Sequence, residues 1–330
     1  MTAAAAGAVP ASSTLPAQPL TTRARSGLVF ALSSAAAFGT SGIFANALLQ
    51  AGWTPGSAVI VRMLGASLVL APLAVAQLRG RWHLLWRARW RALAFGVFAM
   101  AGCQLGYFAA VATVPVSLAL LIEYASVLLV VAWAWAVGGQ RPRLRTALGG
   151  LAALGGLALV LGIGGGTLVA GPGLVWAAIA GACLAVYFVL AADDASGVPA
   201  LAMAWVGMVI GAAVLAAAAL VGLLPMGVTL GDVMLAGASV PWWSVLIGMV
   251  AIATAFAYGT GIAAARRLSA APASFVALTE VLFAAAWAWV LLGQHLSAVQ
   301  LVGGAVVLAG IVVVRSDSQS DSRPAASAAD

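Results

Sequence analysis

The sequence contains no lysine, and arginine supplies all of its 15 basic residues. Charge of either sign is scarce: only 7% of the 330 residues are charged, against about 25% in a soluble domain. Such a chain cannot cover a water-facing surface, which excludes a soluble enzyme and a nucleic-acid-binding domain. Its 2 cysteines fall inside apolar stretches and its 2 histidines lie far apart. We therefore expect no disulfide framework, metal site or cofactor.

Long hydrophobic runs take the place of the missing charge. Hydrophobic residues make up 64% of the chain, and apolar stretches of about 20 residues, enough to cross a bilayer, recur along it. The predicted fold class is an all-α integral membrane protein whose surroundings are the lipid bilayer. The ten predicted transmembrane helices run near residues 28–50, 57–77, 92–112, 116–138, 146–164, 173–191, 200–222, 241–265, 272–292 and 298–314.

The positions of the arginines predict how these helices are inserted. With the N-terminus inside, fourteen of the fifteen arginines fall in inner segments and none falls in an outer loop. This bias toward cytoplasmic loops orients membrane proteins. We therefore expect a multi-pass protein of the cell (inner) membrane with both termini in the cytoplasm. The polar segments 1–26 and 315–330 are expected to be disordered cytoplasmic tails.

The second half of the chain repeats the pattern of the first. In each half a proline opens a helix and a glutamate follows eight residues later, at Glu123 and Glu280. A Trp-Ala-Trp motif, a Gly-Gln pair and a glycine-rich final helix then follow in both halves. Because each half has five spans, the second repeat, 167–314, is inserted upside down relative to the first, 27–166. Inverted repeats of this kind place a binding site near the midplane at their interface.

This layout resembles the EamA-domain exporters of the drug/metabolite transporter superfamily. The resemblance covers about residues 27–314 and is carried by Ile122-Glu123-Tyr124, by Leu278-Thr-Glu280-Val-Leu-Phe283 and by the glycine-rich final helices. Val127 and Val281 stand where family members often have a proline, and the Gly-Gln pairs replace the usual Gly-Glu. The resemblance implies a ten-helix transporter that exports small metabolites.

Three ionised side chains fall well within the predicted helices: Arg62, Glu123 and Glu280. Each costs a few kcal/mol at membrane depth unless it is paired, neutralised or faces a cavity. Arg62 and Glu123 are predicted to differ in depth by only about 3 Å, so we expect an ion pair. Glu280 has no basic residue in the corresponding stretch of the seventh helix, which makes it the candidate proton carrier. A purely structural ion pair and a neutral, hydrogen-bonded core acid are the alternatives.

Polar and aromatic side chains in the first and third helices of each half, together with Tyr124, are candidates for lining a substrate cavity. They are Thr40, Ser41, Asn46, Gln104, Tyr107, Tyr124, Tyr187, Thr254, Tyr258 and Thr260. The alternative for each hydroxyl is structural, since serine and threonine side chains often bond to the backbone of their own helix.

These features predict a secondary transporter that exports a small metabolite, such as an amino acid or a related amphiphile, by alternating access. Proton coupling is one mechanism that the buried acids allow. The alternatives are an uncoupled facilitator or an uptake carrier of the same fold, and a membrane scaffold that transports nothing. An enzyme is not expected, because two isolated acids lack a nucleophile or metal partner. The substrate, the direction of transport and the oligomeric state stay open.

Overall fold

The computed structural model describes residues 20–111, 114, 116–138, 144–161, 171–292 and 297–320. Helices dominate these residues. In the first half they are α1 (Leu20–Gly39), α2 (Ser41–Gln50), α3 (Pro55–Leu78), α4 (Trp82–Arg87), α5 (Arg89–Ala94), α6 (Cys103–Val111), α7 (Val116–Tyr124), α8 (Ser126–Gly138) and α9 (Leu144–Val160). In the second half they are α10 (Pro172–Ala192), α11 (Ala200–Leu220), α12 (Trp242–Val250), α13 (Ala257–Leu268), α14 (Ala270–Ala277), α15 (Thr279–Leu292) and α16 (Ala298–Ser320).

Within the described residues these helices form ten apolar spans, as predicted. We number them in chain order as α1–α2, α3, α5–α6, α7–α8, α9, α10, α11, α12–α13, α14–α15 and α16. Eight spans are long and apolar enough to cross a membrane, and the two shorter ones are the final span of each half. A helix bonds all of its backbone groups within one segment, which hydrocarbon surroundings require. The all-α, ten-helix membrane fold is therefore confirmed.

Several spans depart from a regular α-helix near their middle. Spans three and eight each contain a wider π-type stretch, Phe95–Gly102 and Ala251–Phe256. Span one is interrupted at Thr40, while spans four and nine are interrupted at Ala125 and Leu278, each two residues from its glutamate. Such irregular backbone is tolerated at membrane depth only where it is buried in protein or lines a cavity.

The contacts between spans are symmetrical between the two halves of the chain. The final helices α9 and α16 pack along each other, and α3 packs along α11. The packing of α1 on α13 is matched by that of α10 on α6, and the packing of α1 on α14 and α15 by that of α10 on α7 and α8. Exchanging each element for its equivalent in the other half reproduces these contacts. The molecule is thus built from two inverted five-helix repeats.

Glycines explain how closely the final helices approach each other. A Cβ atom added at Gly156 would lie 2.7 Å from the carbonyl oxygen of Gly303, and one added at Gly303 would lie 2.7 Å from that of Gly156. Small residues let helix backbones meet in this way inside membranes. The glycine-rich pattern read from the sequence is therefore a packing motif.

A short β-hairpin, which the sequence did not predict, lies between spans seven and eight. Its strands, β1 (Asp232–Leu235) and β2 (Ala238–Pro241), are joined by Ala236 and Gly237 with φ of 52° and 81°. Two positive φ angles are what a tight type I′ turn requires. The preceding loop is bound to span two and to the residues before it: the Trp53 indole donates a 2.8 Å hydrogen bond to the Thr229 carbonyl oxygen.

The limits of the predicted tails need correction. Helix α1 begins at Leu20 and α16 ends at Ser320, so helix extends into both predicted tails. Within the extension of α1, Arg23 donates a 3.2 Å hydrogen bond to the carbonyl oxygen of Arg266. Residues 1–19 and 321–330, the proline before Glu123, both Gly-Gln pairs and the predicted repeat boundary at 166/167 lie outside the described residues.

Candidate functional site

A cavity of about 210 Å³ lies where the two repeats meet. Its walls come from the first, third and fourth spans of each half, with one side chain, Arg62, from span two. All four tyrosines of the chain contribute to it. The polar and ionisable residues of the lining are Ser34, Ser41, Arg62, Cys103, Gln104, Tyr107, Glu123, Tyr124, Tyr187, Tyr258 and Glu280.

Arg62 is buried and held by neutral groups. Its Nε donates a 3.0 Å hydrogen bond to Thr254 Oγ1, Nη1 donates a 3.2 Å bond to Ser41 Oγ, and Nη2 donates a 3.1 Å bond to the Ala253 carbonyl oxygen. Ala253 and Thr254 belong to the π-type stretch of span eight, in the other half of the molecule. The irregular turn of span eight thus provides two of the three groups that position the guanidinium.

The predicted ion pair between Arg62 and Glu123 is wrong. Both residues lie in the described part of the chain, and there the carboxylate on which the charge of Arg62 acts is Glu280. The prediction relied on similar depth alone, and depth does not determine the direction in which a side chain points. Span seven has no basic residue in the stretch equivalent to Arg62, so the positive charge that acts on Glu280 is that of Arg62 itself, from span two.

Glu280 lies two residues after the interruption of span nine at Leu278, in the first turn of α15. The Tyr124 hydroxyl interacts with its carboxyl, and Arg62 adds a positive charge across the cavity. These two groups act against the cost of burying the Glu280 carboxylate.

Glu123 occupies the equivalent position of the first repeat, in the last turn of α7 and two residues before the interruption at Ala125. The Cys103 thiol donates a 3.4 Å hydrogen bond to its Oε1. The other charged group that acts on it is a second carboxylate, Glu280. Among the described residues no cation compensates Glu123.

Two further polar side chains of the lining have no partner. Gln104 and Tyr187 are each only 5% exposed, and within the described residues neither amide atom of Gln104 nor the Tyr187 hydroxyl makes a hydrogen bond. A buried polar group left unsatisfied costs about 1–3 kcal/mol. Both side chains line the cavity, where water or a bound polar solute can satisfy them.

The structure brings six of the ten predicted lining residues to the cavity. They are Ser41, Gln104, Tyr107, Tyr124, Tyr187 and Tyr258. The Thr40 and Thr260 hydroxyls instead donate to carbonyl oxygens of their own spans, and Asn46 is exposed and accepts a bond from Gln50. Thr254 is fully buried and holds Arg62 in position.

Several lining residues were missed by the sequence prediction. Cys103 and Phe108 lie directly beside the predicted Gln104 and Tyr107, and the four together form one face of a helix by their spacing. That spacing is the signal that could have identified them. Ser34, Phe38 and Phe188 also line the cavity, but apolar and small residues are so common in this chain that nothing in the sequence distinguishes them.

Comparisons with known proteins complete this description. The profile of the EamA-like transporter family matches residues 25–162 and 171–316, one match for each half of the chain. No match to a curated protein was found. One solved structure, described as "Crystal structure of protein", aligns over 91% of this chain and 99% of its own, with a TM-score of 0.71 and 18% identity. At that identity the likeness concerns the fold alone.

Proposed function

We propose that this chain, which belongs to the EamA-like transporter family, is a secondary transporter that exports a small organic solute by alternating access. One observation carries the proposal: the cavity between the inverted repeats contains Arg62, Glu123 and Glu280. Charges at membrane depth cost a few kcal/mol each, so they mark substrate and ion pathways. A scaffold without a transport function would not need them. Interrupted spans around such a site suit a rocking of one repeat against the other.

We also propose that export is coupled to protons through Glu123. The Glu280 carboxyl has Arg62 and the Tyr124 hydroxyl beside it, whereas Glu123 has only the Cys103 thiol as a donor. A carboxylate that lacks a counter-charge is the costlier one to hold ionised in a membrane. This assignment exchanges the roles that the sequence suggested, because there Glu280 was the candidate carrier.

Flux measurements on the purified protein in liposomes test this function against its alternatives. Radiolabelled amino acids and monoamines are supplied with and without a pH gradient. A coupled exporter accumulates its solute only when the gradient is present. Equilibration that ignores the gradient would indicate a facilitator, accumulation in the opposite direction an uptake carrier, and no flux of any solute a scaffold.

The proposed location is the cell (inner) membrane with both termini in the cytoplasm. The support is the distribution of the arginines, which avoid the predicted outer loops. The two native cysteines are buried, so single cysteines introduced by Thr229→Cys and Arg87→Cys report on accessibility with little background. We expect a membrane-impermeant maleimide to label them from opposite sides. Labelling from the same side would contradict this topology.

A further inference from the structure

We propose that the helical segment between spans two and three binds the phosphate groups of anionic phospholipids through Arg81, Arg87 and Arg89. The segment comprises α4 and the first turn of α5, and it is separate from the central cavity. Under the topology proposed above it lies on the cytoplasmic side. Anionic lipids give the cytoplasmic leaflet a negative surface potential, which attracts basic segments next to a membrane span.

The segment runs as one nearly continuous helix across the boundary between α4 and α5. The Ala88 amide donates a 2.9 Å hydrogen bond to the Leu84 carbonyl oxygen, and the Ala92 amide donates a 2.8 Å bond to the Ala88 carbonyl oxygen. The helical side-chain period is therefore kept from α4 into α5. Residues four positions apart lie on the same side of such a helix, and residues two positions apart lie on opposite sides.

One side of this helix is packed against the second repeat. Ala88 is buried, and a Cβ atom added at Gly197 would lie 3.8 Å from Leu84 Cδ2. Arg91 Nη1 forms a 2.8 Å ion pair with Asp193 Oδ2. Since Asp193 and Gly197 belong to the loop between spans six and seven, these contacts determine which side of the helix faces away from the protein.

The outward side presents a row of tryptophans. Trp82, Trp86 and Trp90 recur at every fourth position and are between 48% and 72% exposed. The row continues at Leu93, which is also exposed and belongs to the apolar surface of span three. Tryptophan is enriched at the boundary between hydrocarbon and water, and a helix with indoles and arginines lies in that interface. The row therefore lies at the level of the lipid headgroups.

The arginines beside this row have no acidic partner. Arg81, Arg87 and Arg89 are exposed, and none of them forms an ion pair within the described residues. No aspartate or glutamate precedes residue 123 in the sequence, and the two aspartates of the loop between spans six and seven are paired with other arginines. Arginine binds phosphate oxygens with charge-assisted hydrogen bonds. At headgroup level the anion of that chemistry is the phosphate of a lipid.

Arg89 shows how the tryptophans hold a guanidinium at the surface. Its Nη1 donates a 3.1 Å hydrogen bond to the Trp86 carbonyl oxygen. Its guanidinium carbon lies 5.2 Å from the ring centroid of Trp86 and 5.7 Å from that of Trp90. Aromatic rings bind guanidinium groups through their faces, which leaves the remaining N–H groups of Arg89 available to a phosphate.

Lipid retention by the purified full chain tests this proposal. The protein in detergent is incubated with equal amounts of phosphatidylglycerol and phosphatidylcholine of the same acyl chains and gel-filtered, and the bound lipids are quantified by mass spectrometry. We expect at least about fivefold more phosphatidylglycerol than phosphatidylcholine to be retained. The preference should fall in about 1 M salt, where the Debye length is about 3 Å. Excess glycerol 3-phosphate, which carries the phosphate without acyl chains, should not displace the lipid. Equal retention of the two lipids, or displacement by glycerol 3-phosphate, would overturn the proposal.

Two triple variants locate the site. The test variant replaces the three arginines of the segment: Arg81→Gln, Arg87→Gln and Arg89→Gln. The matched control replaces the three arginines of the next predicted inner segment: Arg141→Gln, Arg143→Gln and Arg145→Gln. Both variants lose the same net charge, but only the test variant should lose most of the preference for phosphatidylglycerol, by at least about threefold.

Thermal unfolding and gel filtration show whether each variant is folded. The single variant Arg89→Gln should show part of the same loss, and it decides the question if the test variant does not fold. An unchanged preference in the folded test variant, or an equal loss in the control, would overturn the assignment of the site to this segment.

Discussion

Glu123 and Glu280 are equivalent residues of two inverted repeats and line the same cavity, yet different groups lie beside their carboxyls. Glu280 has an arginine across the cavity and a tyrosine hydroxyl as hydrogen-bond partner, while Glu123 has a thiol. The duplication supplied two acids at the same position, and the divergence of their surroundings gave them different properties. The comparison teaches that symmetry of the fold does not imply symmetry of the site.

The interruption of each span falls on a different side of its acid. In span four it follows Glu123, and in span nine it precedes Glu280. The two repeats therefore differ in local backbone as well as in the side chains around the acids.

Removing Arg62 should abolish the difference between Glu123 and Glu280, and we expect it to have the largest effect of the changes considered. Arg62→Gln leaves Glu280 without its positive charge, so that both repeats then hold an uncompensated carboxyl. Loss of one partner of a buried charge interaction costs on the order of 3 kcal/mol, and we expect a clear fall in thermal stability together with loss of transport. Arg79→Gln, at an exposed arginine just after the same helix, is the control. If Arg62→Gln melts and transports like the wild type, the charge of Arg62 does not compensate Glu280.

The final helices test the case in which equivalent residues of the two repeats still have the same surroundings. Gly156→Ala and Gly303→Ala each place a Cβ 2.7 Å from a backbone oxygen of the partner helix, which should cost about 1–3 kcal/mol as overpacking. The neighbouring Gly155→Ala is the matched control, since its Cβ would meet no described atom within 4 Å. Thermal unfolding of the three variants measures the costs. Similar losses for Gly156 and Gly303 are expected, and a loss as large for Gly155 would contradict close packing as the cause.

The smallest expected effect concerns the thiol beside Glu123. Cys103→Ala removes the hydrogen-bond donor at 3.4 Å from the carboxylate, whereas Cys103→Ser keeps a donor at that position. Because a thiol is a weak donor, we expect a loss below about 1 kcal/mol and a modest change in the pH dependence of solute flux. Cys183→Ala is the control. If Cys183→Ala changes the pH dependence as much as Cys103→Ala does, the bond to Glu123 is not responsible.

Much of the fold was predictable, since apolar length and arginine position depend on the bilayer rather than on tertiary contacts. Glu123, Glu280 and the glycine-rich helices were sufficient to identify the repeat. The hairpin was not predictable, because it depends on an alanine at positive φ in the turn and on contacts of its strands with α2 and α12. Thr40 and Thr260 show the same limit within the site: their residue type suits a polar lining, but their hydroxyls bond to their own helices.

The hydrogen-bond partners of Arg62 also could not be predicted from the sequence. Helical rise gives the depth of a side chain, but the direction in which it points depends on how the two repeats pack. Here the guanidinium turns toward the π-type stretch of span eight, where Thr254 and Ala253 accept its hydrogen bonds. Neither the π-type turn nor the contact between the halves leaves a pattern in a single sequence.

Solute accumulation in liposomes by Glu123→Gln and Glu280→Gln, measured with and without a pH gradient, tests the central claim most directly. The account predicts that Glu123→Gln loses all gradient-driven accumulation and that its residual flux no longer responds to pH. Glu280→Gln should be slower than the wild type but should still accumulate solute in response to the gradient. The reverse result, with coupling retained in Glu123→Gln and lost in Glu280→Gln, would contradict the assignment of the two acids.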